Sequence, residues 1–183
     1  MARNGKCGVR SGAYLDGTFP PHPKETDTIH SGDRRMTVSN FDASAIAWQP
    51  FGEFPHFAFF IMNVDMEQRI ADVIFRFDAG RQIVSHRHTS LNHTFVVQGE
   101  HRIHEHDGSL REARPTGIYT ITPAAETPHR EGGGDEGAIV LFSMRPQPGE
   151  LLYEILSDDG TPIAEISLEL LHGMFEAQQA ARA

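Results

Sequence analysis

Apolar residues fall in short bursts along this chain, and between residues 57 and 166 turn-forming residues cut them at fairly even intervals. FAFFIM at 57–62 is one burst. ADVIFRF at 71–77 alternates: on an extended chain Val73, Phe75 and Phe77 share one face, with Asp72, Ile74 and Arg76 on the other. HTFVVQ at 93–98, HRIHEH at 101–106, GIYTIT at 117–122, GAIVLFSM at 137–144, LLYEIL at 151–156 and TPIAEI at 161–166 continue the series. Asp107-Gly108 and the SDDG between Leu156 and Thr161 are hairpin signals. Many short strands at this spacing predict an all-β antiparallel sandwich or barrel. From Ser167 the period changes. Leu170, Leu171, Met174 and Phe175 form a helical stripe, with Ser167 as N-cap and Glu169 in the first turn. Residues 1–40 are rich in Gly, Pro and polar groups and read as an irregular arm. The expected organisation is an arm at 1–40, a β-barrel at 41–166 and a C-terminal amphipathic helix at 167–183.

Composition narrows the partners. The chain has 183 residues, enough for one domain with its own core. It carries 16 basic and 25 acidic residues, a formal net charge of −9. An acidic chain without a basic stripe is a poor match for nucleic acid or an anionic membrane. No apolar run is long enough to span a bilayer. The first ten residues have no apolar leader core, and Cys7 is the single cysteine, so no internal disulfide forms. These features favour the cytoplasm.

Histidine changes the picture. Seven of the 11 histidines lie between His86 and His129, and imidazole is both the commonest metal ligand and a proton carrier near neutral pH. His86 and His88 are two apart, so on an extended chain both point to one side and reach one ion. His93, taken as the start of the next strand, shares a face with Phe95 and Val97, the expected interior. On 101–106, His101, Ile103 and Glu105 share one face, and Arg102, His104 and His106 the other. Apolar Ile103 marks the first of these as interior. Arg87, between two candidate ligands, is expected to project away from them. His22, His30, His56 and His172 are read as non-ligands.

The spacing of these residues resembles the two cupin motifs. Gly80, His86, His88 and Gly99 fit the first: a Gly, five residues, His-x-His, three or four residues, a Glu, then a Gly. His93 stands where the longer spacing places the Glu. Gly117, Pro123, Ala125 and His129 fit the second, with Pro128 inserted before the histidine. A closer similarity is to cupins of the 2,4′-dihydroxyacetophenone dioxygenase and acetylacetone dioxygenase type. It is carried by HRHT at 86–89, His93, VQG at 97–99, Glu105-His106-Asp107, Gly117, Tyr119, Glu126-Thr127 with His129, and Ala47-Trp48-Gln49-Pro50. It covers roughly residues 45–150. His101 departs from it, standing where an aromatic residue is common; so does Thr122, where a Glu is frequent.

The resemblance implies a cupin fold, a double-stranded β-helix or jelly-roll barrel, holding one divalent metal ion per chain. The expected ligands are His86, His88 and His129, with His93 as a fourth ligand or as a group that orients one. Glu105 is the candidate catalytic carboxylate, as ligand or base. Imidazole sites suit Zn, Cu, Fe and Ni. The resemblance implies Fe(II), with Zn or Ni as alternatives, and cleavage of a carbon–carbon bond in a small β-diketone or hydroxyaryl ketone by dioxygen. A non-catalytic zinc-binding sensor cupin and a metal-dependent isomerase or lyase of small acids or sugars are the competing readings. Exposed strand edges, with an arm and helix that add little to a small barrel's core, suggest a homodimer.

Overall fold

The computed structural model describes residues 29–31, 34–36, 41–124 and 127–182. Most of the expected arm, with Cys7 and His22, lies outside the described residues, as do Ala125 and Glu126 of the second motif. The chain divides into two units, Met1–Ala43 and Ser44–Ala183. In the first, β1 (Ile29–Ser31) and β2 (Arg34–Met36) pair antiparallel, so part of the expected irregular arm is extended strand.

The second unit is a curled antiparallel sheet with one helix. After a single 3-10 turn come β3 (Gln49–Pro50), β4 (Phe57–Asp65), β5 (Ile70–Phe77) and β6 (His86–His88). Then follow β7 (Leu91–Glu105), β8 (Leu110–Pro115), β9 (Tyr119–Thr122), β10 (His129–Arg145), β11 (Tyr153–Leu156) and β12 (Pro162–Ile166). Helix α1 (Leu168–Ala180) closes the chain. Two strands are longer than the apolar bursts suggest. β7 joins the 93–98 and 101–106 segments through Gly99, and β10 begins eight residues before Gly137. β8, which carries three charged residues, Arg111, Glu112 and Arg114, and little apolar signal, was not legible in the hydrophobic pattern.

Strand β10 is the hub. One edge takes β6 at His129 and β5 from Ala138 to Met144; the other takes β7 along almost its whole length. β4 and β3 extend from β5, and β11 and β12 from β6. Both predicted hairpins form: β7 returns as β8, and β11 as β12. Glycine makes the crossing of β7 and β10 possible. Gly99 has φ +74°, and a Cβ there would lie 2.2 Å from the Gly137 carbonyl oxygen.

Phe59, Ile61, Val73, Phe75, Phe77, Val140, Phe142 and Met144 fill the barrel from β4, β5 and β10. The alternation expected for β5 is present, with Val73, Phe75 and Phe77 inward and Arg76 outward over the Trp48 ring. Ser167 caps α1 by accepting a hydrogen bond from the Leu170 amide at 3.1 Å. Leu168 and Leu171 are buried while Leu170 is exposed, so the helical stripe is rotated from the expected one. Gln178 both accepts from the Ile61 amide (3.1 Å) and donates to its carbonyl (2.7 Å), satisfying the backbone where the β4–β5 register shifts. No helix among the described residues is long and apolar enough to cross a membrane.

Candidate metal centre

β6 is three residues long, and its alternation decides the site. His86 and His88 point inward and are buried, while Arg87 between them points outward and pairs with Glu154. β10 enters the barrel beside β6 with His129 opposite His86, which brings their ring centroids to 4.5 Å. Two residues further along β10, on the same face, Glu131 follows His129 inward. One ligand atom from each of His86, His88, His129 and Glu131 lies within 4.8 Å of all the others, and all four residues are buried.

These four groups could hold a metal ion, and their spacing fits one. Glu131 Oε1 lies 3.5 Å from His129 Nε2 and 3.8 Å from His88 Nε2, and Oε2 lies 3.6 Å from His86 Nε2. These separations exceed hydrogen-bond distances. They resemble the edge of a coordination shell: bonds of about 2.1 Å at tetrahedral angles place neighbouring donors about 3.4 Å apart. His88 Nε2 is buried with no hydrogen-bond partner, a rare condition that a bound cation would relieve.

The other ring nitrogens are tied so that each Nε2 faces the cluster. His86 Nδ1 lies 3.1 Å from the Val84 carbonyl and His129 Nδ1 3.2 Å from that of Thr127; as N–H donors they leave the Nε2 lone pairs free. The Asn92 amide lies 2.8 Å from His88 Nδ1. A half-turn of that amide presents its oxygen to Nδ1–H, satisfying the otherwise partnerless Asn92 Oδ1 and freeing Nε2. Electrostatics agree. Burial pushes the His88 imidazolium well below its usual range, so the ring is neutral. Burial alone would raise the Glu131 carboxyl, but His101, His129 and His86 outweigh it and hold the group ionised. Neutral imidazoles and a carboxylate are the forms a cation requires.

Glycine again permits the approach. Gly80–Ile83 runs alongside β10, with the Ile83 amide donating to the Glu131 carbonyl at 2.8 Å. A Cβ on Gly132 would sit 2.1 Å from the Arg81 carbonyl oxygen, so only glycine follows Glu131 here.

Two expected site residues are not brought to the cluster. His93 is on the opposite face of β7 from the expected one. Asn92, Thr94 and Val96 are buried, while His93 contacts the Tyr119 hydroxyl and Phe95 is exposed. The polar inward positions are satisfied by hydrogen bonds, Asn92 to His88 and Thr94 Oγ1 to Thr120 Oγ1 at 2.5 Å, and this inverts the parity that apolar residues alone suggest. Glu105 ends β7 beyond a register shift and turns toward solvent, 3.8 Å from Arg111. His101 and Ile103 are inward, as expected of that segment. Asn92 and Glu131 were the residues missed. The signal for Glu131 was present: a strand opening at His129 puts 129 and 131 on one face.

Phe57, Phe75, Phe77, Phe142, Met144 and Tyr153 line a pocket beside His86, His88 and Glu131. Among the described residues, no lysine or arginine lines it. Burial, with Glu131 nearby, raises the Tyr153 phenol, so it keeps its proton.

A curled antiparallel barrel with three imidazoles and a carboxylate gathered inside defines a cupin with the donor set of a metal-binding protein. The chain belongs to the ChrR cupin-like domain family, whose model matches residues 36–147. Solved cupins share the fold. A putative acetylacetone dioxygenase from Methylibium petroleiphilum PM1 is 18% identical, with a TM-score of 0.57 over 79% of this chain and 99% of its own. An acetylacetone dioxygenase from Acinetobacter johnsonii is 16% identical, with a TM-score of 0.57 over 82% of this chain and 98% of its own. An RmlC-like cupin from Ralstonia eutropha JMP134 is 18% identical, with a TM-score of 0.61 over 79% and 88%. No curated protein matches the sequence.

Proposed function

We propose that this cupin is a non-haem Fe(II) dioxygenase that cleaves a carbon–carbon bond in a small β-diketone or hydroxyaryl ketone. The observation that carries the reading is the aromatic pocket beside the His86, His88 and Glu131 side chains. A bound divalent ion supplies a Lewis acid with positions for a chelating ligand and dioxygen. The chain's own groups set the rest. Glu131 lowers the charge of an occupied site from +2, expected of imidazoles alone, to +1, which a singly charged enolate neutralises. The phenyl walls exclude water and favour an apolar substituent. A carboxylate or phosphate on the far end of a substrate would be buried without a cation to pair with it, a costly placement. That disfavours the isomerase or lyase of small acids.

The experiment is anaerobic titration of Fe(II)-loaded protein with acetylacetone, followed by charge-transfer absorbance and then by oxygen uptake. A saturable chromophore that decays with oxygen consumption supports the reading. Absence of any chromophore in iron-loaded wild type removes it.

A second reading is favoured by one observation: three imidazoles and a carboxylate make four protein ligands, the number that fills a structural zinc site. On that reading the protein is a zinc-binding sensor cupin. It predicts tightly held zinc that no diketone perturbs.

A further inference from the structure

His101 is the buried titratable group that the four-donor set leaves over. It sits on β7 with no exposed surface, and neither ring nitrogen has a hydrogen-bond partner. Two unsatisfied buried polar atoms are costly and need an explanation. Packing does not supply one. The ring lies nearly flat on Phe77, centroids 5.2 Å apart, and edge-on to Phe142 at 6.0 Å, contacts a phenyl group would make as well. What the imidazole adds is Nε2, which lies 3.6 Å from Glu131 Oε1. His101 is outside the group of donors that are all within 4.8 Å of one another. It reaches the carboxylate without reaching the whole imidazole set.

We propose that His101 is a positioning residue: when a metal ion is bound, its Nε2–H closes the 3.6 Å gap to Glu131 Oε1, donates to it, and turns the carboxylate so that it meets the ion through one oxygen. The two phenyl rings fix the plane of the imidazole, and the imidazole fixes the carboxylate. Groups that hold a metal ligand by hydrogen bonding govern affinity and coordination without touching the ion. The inference rests on the four groups being a metal site, and on no particular reaction.

The test uses the full chain with zinc and cobalt as probes. His101→Phe keeps the stacking and removes the donor; His101→Gln keeps a donor. Zinc affinity, measured by competition with a chromophoric chelator, is expected to fall about 10- to 100-fold in His101→Phe and to recover most of the way in His101→Gln. The visible spectrum of the Co(II)-loaded protein is expected to change in the first variant and to resemble wild type in the second. In a Glu131→Gln background, His101→Phe is expected to add little, because the two residues act through one contact. Metal-free His101→Phe is expected to melt no lower than wild type, since it removes two unsatisfied nitrogens. Unchanged affinity and spectrum in His101→Phe overturn the inference, as does an equal loss in the Glu131→Gln background. A markedly destabilised His101→Phe also overturns it, by making His101 structural. Failure of wild type to bind either metal overturns the site itself, whereas failure of diketone binding alone leaves His101's role standing.

Discussion

Two regions of this barrel carry histidines within a few residues of each other and use them in opposite ways. Where β6 meets β10, His86, His88 and His129 are buried, neutral by burial in the case of His88, and turned toward a carboxylate. Along β7 and β9, His93 stands with Tyr119, Phe95 and Ile121 on the outward face, where large apolar side chains are 40–60% exposed. The residue type is the same. What differs is strand parity and the company each ring keeps. Imidazole chemistry is set by whether the backbone turns the ring into a site with an anion and fixed partners, not by the density of histidine in the sequence.

Alanine substitution breaks the contrast most severely. His88→Ala and His86→Ala are each expected to weaken zinc binding by more than about 100-fold, since each removes a ligand rather than a group that supports one. His93→Ala should leave it within a few-fold. Chelator competition measures all three, and comparable losses in all three would erase the distinction.

The buried corner also depends on close backbone approach. Gly132→Ala would drive a methyl against the Arg81 carbonyl at 2.1 Å. We expect a loss of about 1–3 kcal/mol, the usual cost of forcing extra volume into a packed site, and weaker metal binding because Glu131 moves with the strand. Urea denaturation and the same competition assay report the two effects.

Acid should destabilise this corner. The His88 pKa lies well below its value of about 6.5 in an unfolded chain, chiefly through burial. On acidification the unfolded state takes up the proton first. Stability of the metal-free protein is therefore complete above about pH 6.5 and falls below it, by up to about 1.4 kcal/mol per pH unit for this one group. Glu131, held low by its imidazole neighbours, adds a further loss only below about pH 4. Denaturation curves from pH 8 to pH 5 test the His88 part, and a flat profile would contradict it. The smallest effect is expected on the outward face. His93→Gln replaces a half-buried ring on that face and should shift stability by no more than about 0.5 kcal/mol.

The sequence made much of this legible, and where it failed the cause was physical. His86-x-His88 needs only strand alternation to face one ion, and the β5 pattern and both hairpin turns follow from the same local rules. The parity of β7 did not follow. Apolar Phe95 and Val97 suggest one interior, but Asn92 and Thr94 occupy it, each with a hydrogen-bond partner outside its own strand. Glu131 was hidden by Gly132-Gly133-Gly134, which looks like a turn. Its backbone is instead continuous strand, held in place by the Gly80–Ile83 segment. Glu105 looked inward by alternation, and a register shift at the end of β7 turned it out.

The reading of the site stands or falls on metal stoichiometry. Protein purified without chelator, reconstituted with excess Fe(II) or Zn(II) and desalted, should retain one ion per chain by elemental analysis, and the Glu131→Gln, His86→Ala double variant should retain almost none. Full retention in that double variant, or none in wild type, would contradict the assignment of His86, His88, His129 and Glu131 as the metal centre.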